Sequence, residues 1–391
     1  MKICACIAEY NPFHLGHKKH LDYIRRELGA DKIIVIMSGN FTQRGEIAVL
    51  DKFTRARHAI QAGADLVLEL PTPLATANAE IFAKGAVNIL NSLGVIDGIC
   101  FGVESGDKKD YILLADALND ESREYKKALK AELEKGVSLA KAKFNALKNL
   151  GRDEFDQNLI SSPNNILGLE YTKAILKLKS NMEIYPMLRD GNHNDTTLKK
   201  GITSATSIRE TLKTGKKRKV KNCVPPFVYK DLGAYPFAIE NLILASVYKQ
   251  STKEMAKISD CTEGLENRIK AFSKDNQDLE TLVEKVSTKR YTKTRVRRIL
   301  TANLLGIDKF DLQDFLEEKL YAKVLAVKES SKELISLLVT NSSIPVLTRK
   351  SDVDKLKKSA KRCFEFDILA NDIYNLVSEK KQNENHMLII K

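Results

Sequence analysis

The stretch from residue 3 to residue 28, ICACIAEYNPFHLGHKKHLDYIRREL, decides how the rest of the chain is read. Its first six residues, Ile3–Ala8, are almost continuously apolar, as a central parallel strand covered on both faces must be. Asn11-Pro12-Phe13 has the composition of a turn, and residues 17–28 then carry a helical pattern. Strand, turn and helix in that order open a doubly wound α/β sheet, and the next segments repeat the unit. Residues 32–37, 66–70 and 99–102 read as buried strands, with helical patterns over 52–62 and 77–93 between them. In such a sheet, ligands lie beyond the carboxyl ends of the strands.

That geometry gives the two histidines of His14-x-Gly16-His17 a chemical reading. The start of a helix gathers backbone N–H groups and the positive end of its dipole, where phosphate binds well. Gly16 carries no side chain where a phosphate or base must approach closely. Two imidazoles three positions apart at the helix start can both donate hydrogen bonds to one anion as charge builds on it. Either histidine alone suits a structural or surface role; it is the pair at a first strand-to-helix turn that points to nucleotide binding.

Residues 108–150 are helical by composition, a further helix is expected over 166–178 after Ser162-Pro163, and a strand over 183–188. The loop from Arg189 to Ser204 leads to a short helix near Thr206, whose neighbours Ser204, Ser207 and Arg209 put hydroxyls and a guanidinium at a second helix start. Taken alone, Thr206 or Ser207 also suits an N-cap. Lys216–Lys221 and Pro225-Pro226 punctuate the chain, and the division is expected there: residues 1–220 as the α/β domain and 221–391 as a basic domain, almost wholly helical to about residue 380.

Bulk properties narrow the function. At 391 residues, 43% hydrophobic and 29% charged without a Trp, the chain is an ordinary globular one with room for two cores. No 18-residue uncharged apolar run suggests a membrane span, and Glu9 cuts short the apolar start, against a secretory signal. The six cysteines lack metal-ligand spacing and read as reduced thiols of a cytoplasmic protein. The net charge of +13 calls for a polyanionic partner. Residues 201–230 hold eight cations against Glu210, and residues 285–298 hold seven and no acid. A charge run is often just a solvated face.

With both motifs in view, the chain resembles the tRNA(Met) cytidine acetate ligase family of the H-x-G-H nucleotidyltransferases. Ser204-Ala205-Thr206-Ser207-Ile208-Arg209 is similar to the second motif of that superfamily, with Ala205 in place of one serine. Met37-Ser38-Gly39-Asn40-Phe41-x-Gln43-Arg44-Gly45-Glu46, Asp51-Lys52, the run 66–71, Phe101-Gly102-x-Glu104-Ser105-Gly106, residues 163–168 and Lys289-Arg290-Tyr291-Thr292-x-x-Arg295 extend the likeness from residue 1 to about 307.

The resemblance implies that Ile7, Ala8, Glu9, Tyr10, Asn11, Pro12, Phe13, His14, Leu15, Gly16, His17, Lys18, Lys19 and His20 wrap ATP, with His14, His17 and Lys19 catalytic at the phosphates. Gly102 would lie against the adenosine, with Asn164 and Arg189 completing the site and Ser204, Thr206, Ser207 and Arg209 on the β- and γ-phosphates. By chemistry alone Asn165 is as good an amide as Asn164, and Asn164 also suits the cap of the following helix. The implied reaction has acetate attack ATP to give acetyl-adenylate, whose acetyl group then passes to N4 of the wobble cytidine of elongator tRNA(Met). Mg2+ on the polyphosphate is expected from the chemistry. The implied partner is tRNA, and no membrane. Lys216, Lys217, Arg218 and Lys219, with Lys289, Arg290, Tyr291, Arg295 and Arg298, are the expected tRNA contacts, Tyr291 offering a ring to an unpaired base. Two other readings use some of these features: a small-metabolite adenylyltransferase, which has little use for a large basic domain, and a non-catalytic RNA-binding protein with a vestigial nucleotide site, against which His14, Gly16, His17 and Arg209 all stand.

Overall fold

The computed structural model describes residues 1–120, 122–137, 139–152, 155–160, 162–189, 203–274, 278–378, 381–384 and 387–391; the expected loop between Arg189 and Ser204 lies, over 190–202, outside the described residues. Five parallel strands form as the sequence pattern requires: β1 (Ile3–Ala8), β2 (Lys32–Ser38), β3 (Leu66–Leu70), β4 (Gly98–Val103) and β5 (Glu183–Leu188). Their order across the sheet is β5-β4-β1-β2-β3, so the winding reverses between β1 and β4. A crevice opens at such a reversal, beyond the carboxyl ends of the two strands. Pro186, which has no N–H to donate, is tolerated because β5 is the sheet's edge.

Alternate residues of each strand feed two cores. Cys4, Cys6, Ile33, Val35 and Met37 pack with Leu21 and Ile24 of the helix Leu15–Arg26 and with Phe53, Ala56 and Ile60 of the helix Lys52–Gln61. Ile3, Ala5, Ile34 and Ile36 face the helices Ala79–Ser92 and Pro163–Lys177 and the helical second half of the chain. Ile208 and Leu212 join the first core, so the helix Ala205–Lys213 lies on the same face as the helix after β1.

Residues 221–391 are mainly helical, but the expected division at 220/221 does not mark where the sheet ends. Three further strands, β6 (Ala322–Lys328), β7 (Val346–Leu347) and β8 (Leu388–Ile390), extend it beyond β3, with β6 antiparallel to β3 and parallel to both β7 and β8. The reason the pattern hides β6 is Lys323, a charge near the start of a buried strand. It stands directly across from Glu69 of β3, 2.8 Å from its carboxylate, and is also ion-paired with Glu384. Lys52, itself 1% exposed, meets the same Glu69 at 2.7 Å and Glu384 at 2.6 Å. Two cations against two carboxylates make burial tolerable, whereas losing one partner would strand a charge.

Asp367 borders this network, accepting from Thr72 N–H at 2.7 Å and from the Tyr321 hydroxyl at 2.5 Å. Burial, then the nearby Glu69 carboxylate, outweigh Lys323 and Lys52 and push its carboxyl up to about 7. A carboxyl raised by folding contributes stability below its unfolded value, and that contribution is lost as pH rises through the folded one. The stability of the natural protein relative to Asp367→Asn should therefore fall by a few kcal/mol, to order of magnitude, between about pH 4 and pH 7 and then level off, as measured by urea unfolding at several pH values.

Candidate active site

At the end of β1 the chain turns sharply: Tyr10 is buried with φ +50°, its ring edge-on to Phe13 and to His17, both at 4.8 Å. A buried aromatic holds this left-handed conformation only where its packing compensates. His14 is the N-cap of the helix Leu15–Arg26, its Nδ1 accepting from Gly16 N–H at 3.1 Å, while His17 Nδ1 accepts from His14 N–H at 3.2 Å. The arrangement is a capping box built from two imidazoles. Because each Nδ1 accepts, each neutral ring carries its proton on Nε2. The rings stack with centroids 3.6 Å apart, so the two donors belong to one rigid unit.

The backbone amides of that helix start find partners within the fold. Leu15 N–H donates to Cys223 carbonyl, Gly16 N–H to the His14 ring, and His17 and Lys18 N–H to the His14 carbonyl. Lys19 is exposed one turn along; Lys18 turns away to Asp22 at 2.8 Å. His20 points back between the strands, 3.2 Å from Cys100 Sγ, and burial together with Arg189 holds it down at about 4, so it is neutral near pH 7.

The second motif meets this turn. Ser204, not Thr206 or Ser207, caps the helix Ala205–Lys213, accepting from Ser207 N–H and lying 2.8 Å from the Ser207 hydroxyl. Arg209, 4% exposed, donates from Nη1 to the Asn11 carbonyl at 2.9 Å, with Nη2 3.4 Å from Thr206 Oγ1 and 3.0 Å from a Glu46 carboxylate oxygen. Arg44 reaches the same Thr206 hydroxyl at 3.4 Å. Arg44 and Glu46 are functional candidates that the sequence reading quoted but gave no role; their signal is a pair of charges flanking a glycine in an otherwise uncharged segment, 39–50. Arg55, fully buried, ties the ends of β1 and β2 together by donating to the carbonyls of Glu9 (2.6 Å), Ser38 (3.1 Å) and Gly39.

Across the crevice, a side chain at Gly102 would press on Arg189 at 3.0 Å, so these two are neighbours as expected. Burial lowers Arg189, opposed by Glu104 and reinforced by Arg44. Glu104 accepts from Asn164 Nδ2 and from the Ser162 hydroxyl, each at 2.5 Å. Ser162 is the cap of the helix Pro163–Lys177, which removes that role from Asn164. The choice between amides is also physical. Asn165 is 1% exposed and spent on Glu104 N–H, Ser105 Oγ and the Asn158 carbonyl, whereas Asn164 lies nearer the surface.

The expected RNA contacts divide. Lys216, Arg218 and Lys219 are exposed, while Lys217 bonds the Leu232 carbonyl and covers the Tyr229 ring at 5.1 Å. Lys289 is exposed, but the cations after it meet acids that folding brings from elsewhere: Arg290 pairs with Glu263, Arg297 with Glu280 and Arg298 with Asp260. Arg295 donates to the Asp260 carbonyl and lies over the Tyr291 ring at 5.2 Å, and Tyr291 OH donates to Glu263. Arg295, Arg298 and the Tyr291 face turned to Arg295 are thus occupied within the fold.

Imidazoles stacked at the first turn of a doubly wound sheet, with a buried arginine from a second helix on that turn's own carbonyl, define an H-x-G-H nucleotidyl transferase, and residues 1–387 match the family described as HIGH Nucleotidyl Transferase. A tRNA(Met) cytidine acetate ligase of Acetivibrio thermocellus is 39% identical, with 96% of this chain and 94% of the relative covered, and one of Caldanaerobacter subterraneus is 38% identical over 96% and 95%. Among solved structures, Thermotoga maritima TmcAL superposes over 100% of both chains with TM-score 0.93 at 30% identity in its apo form, and with TM-score 0.91 at 29% identity in a form bound with alpha-thio ATP. The chain belongs to the tRNA(Met) cytidine acetate ligase family.

Cap and donor can be separated at His14. Asparagine is a good N-cap but carries no Nε2–H, so His14→Asn should move the thermal midpoint by only a few degrees while weakening ATP binding about 10- to 100-fold, as measured by calorimetric titration.

Proposed function

We propose that this protein is an ATP-dependent ligase that activates acetate as acetyl-adenylate and transfers the acetyl group to N4 of the wobble cytidine of elongator tRNA(Met). One contact carries the reading: Arg209 on the Asn11 carbonyl, which joins the two motifs at a single crevice. In the first step an acetate oxygen attacks the α-phosphorus of ATP and pyrophosphate leaves. That step asks for orientation and for positive charge against the growing charge of the leaving group, and no nucleophilic side chain. The Nε2–H groups of His14 and His17, Lys19 and Arg209 are the donors, with Ser204, Thr206 and Ser207 adding hydroxyls. Mg2+ carried on the phosphates would offset part of their charge. Gly102, Asn164 and Arg189 hold the nucleoside side of the crevice.

In the second step N4 of cytosine attacks the acetyl carbonyl, AMP leaves, and N4 loses a proton. The N4 lone pair is delocalised into the ring, and the mixed anhydride supplies the driving force. A wobble base is already single-stranded, which lowers the cost of bringing it to the crevice. The place of action is the cytoplasm, in keeping with six buried cysteines that form no disulfide; no helix among the described residues is long and apolar enough to cross a membrane.

Incubation with ATP, labelled acetate and unmodified tRNA should place label in the tRNA. Acetate-independent transfer of AMP to a small acceptor would instead establish a metabolite adenylyltransferase. The exposed cations give a second expectation. Lys216→Ala, Arg218→Ala and Lys219→Ala together should weaken tRNA binding about tenfold and flatten its salt dependence by up to three charges without altering the melting temperature. Arg295→Ala should act oppositely, lowering stability by about 1–3 kcal/mol with a smaller effect on the salt slope. Filter binding at several salt concentrations and thermal melts distinguish the two.

A further inference from the structure

The irregular segment 39–50 between β2 and the helix Lys52–Gln61 touches both motifs and the helix Lys293–Leu305 at once. Its tip is fixed on three sides. Gln43 N–H donates to the Glu9 carboxylate at 2.7 Å, and the Asn11 side chain accepts from Val49 N–H at 2.9 Å. Gly45, at φ +69°, accepts from Thr301 Oγ1 at 2.9 Å, and any side chain there would collide with the backbone of Arg297 and Arg298. The tip therefore cannot slide, and it sets the Glu46 carboxylate 3.0 Å from Arg209 Nη2.

We propose that Glu46 is a positioning residue for Arg209, fixing the plane of the guanidinium so that the motif-two arginine meets the triphosphate in one orientation; the proposal rests on the functional reading above. An arginine presents its donors in a rigid fork, so its usefulness to a phosphate depends on where the plane is held. Nη1 and Nη2 donate to the Asn11 carbonyl and the Thr206 hydroxyl, while the Glu46 carboxylate, 3.0 Å from Nη2, acts as an ion-pair partner rather than as a hydrogen-bond acceptor. Glu46 stays an anion in this enclosed place: burial alone would raise its carboxyl, but Arg209, Arg297, Lys213 and Arg44 outweigh burial and lower it. A buried guanidinium without that carboxylate would keep its charge and lose its restraint.

Incorporation of labelled acetate into tRNA, measured against ATP concentration, tests the assignment. Glu46→Gln should raise KM for ATP about tenfold with kcat within about threefold, the signature of lost ground-state and transition-state binding alike. Glu46→Asp, which keeps the charge, should recover part of the loss, and Gly45→Ala, which displaces the tip while leaving the carboxylate, should reproduce the KM increase. An unchanged KM for ATP in Glu46→Gln, or a fall in stability and kcat with KM intact, would overturn the positioning role. If Glu46→Gln does not fold, normal KM values in both Glu46→Asp and Gly45→Ala overturn it equally. No incorporation by the natural protein would overturn the functional reading itself, and the proposal with it.

Discussion

A guanidinium that cannot be deprotonated has been placed where almost no water reaches it. Arg209 lies on the carbonyl of Asn11, a residue 198 positions earlier, and nearly everything local to the crevice serves that contact. The turn after β1 must be rigid for its carbonyl to be in the right place, which the mutually packed rings of Tyr10, Phe13 and His17 provide. The helix bearing Arg209 must start at a fixed point, which the Ser204 cap provides. The charge itself must be compensated, since an isolated buried cation costs several kcal/mol. Glu46 supplies that compensation from a third segment. Three stretches far apart in sequence thus become one object only after folding.

The same logic operates under β3. Lys323 and Glu69 face one another across antiparallel strands, and Lys52 and Glu384 close the set. Hydrophobic residues of similar size would serve stability as well or better. What the charges add is register: a one-residue slip of β6 would place Lys323 on the opposite face, away from its carboxylates. The last strands are thereby locked to the sheet in one alignment, and β3 is paired on both sides.

Legibility in the sequence followed the range of the interaction. β1 to β5, the helices between them and the H-x-G-H turn were readable because hydrophobic period and turn composition are local properties, carried within ten or so residues. β6 was not, since its buried Lys323 makes sense only beside Glu69. The different surroundings of Asn164 and Asn165 were likewise invisible, two identical side chains one position apart, until folding set the first on Glu104 and the second on the Ser105 hydroxyl. The hydrogen bonding of the helix start was invisible for a chemical reason. His14 has a ring nitrogen able to accept, so it consumes the amide that the expectation assigned to phosphate and turns its other nitrogen into the donor.

Charge counting along the chain failed in an instructive place. Residues 285–298 contain no acid, yet Asp260, Glu263 and Glu280 reach Arg298, Arg290 and Arg297 across turns of the helical layer. A run of cations in sequence measures what unfolded chain would present, not what the folded surface does. Lys216, Arg218 and Lys219 stay exposed after folding, in the segment that immediately follows the helix carrying Arg209. The exposed cations and the buried one are thus joined by a few residues of backbone. On the proposed function, a polyanion drawn to the former would lie beside the second motif, and the chain's connectivity would itself bring an RNA backbone near the phosphates of the nucleotide. Because that proximity adds like charge to like, the cations between the two polyanions have to be held in place rather than left mobile. Restraint of Arg209 by a carbonyl and a carboxylate is the form such holding takes here.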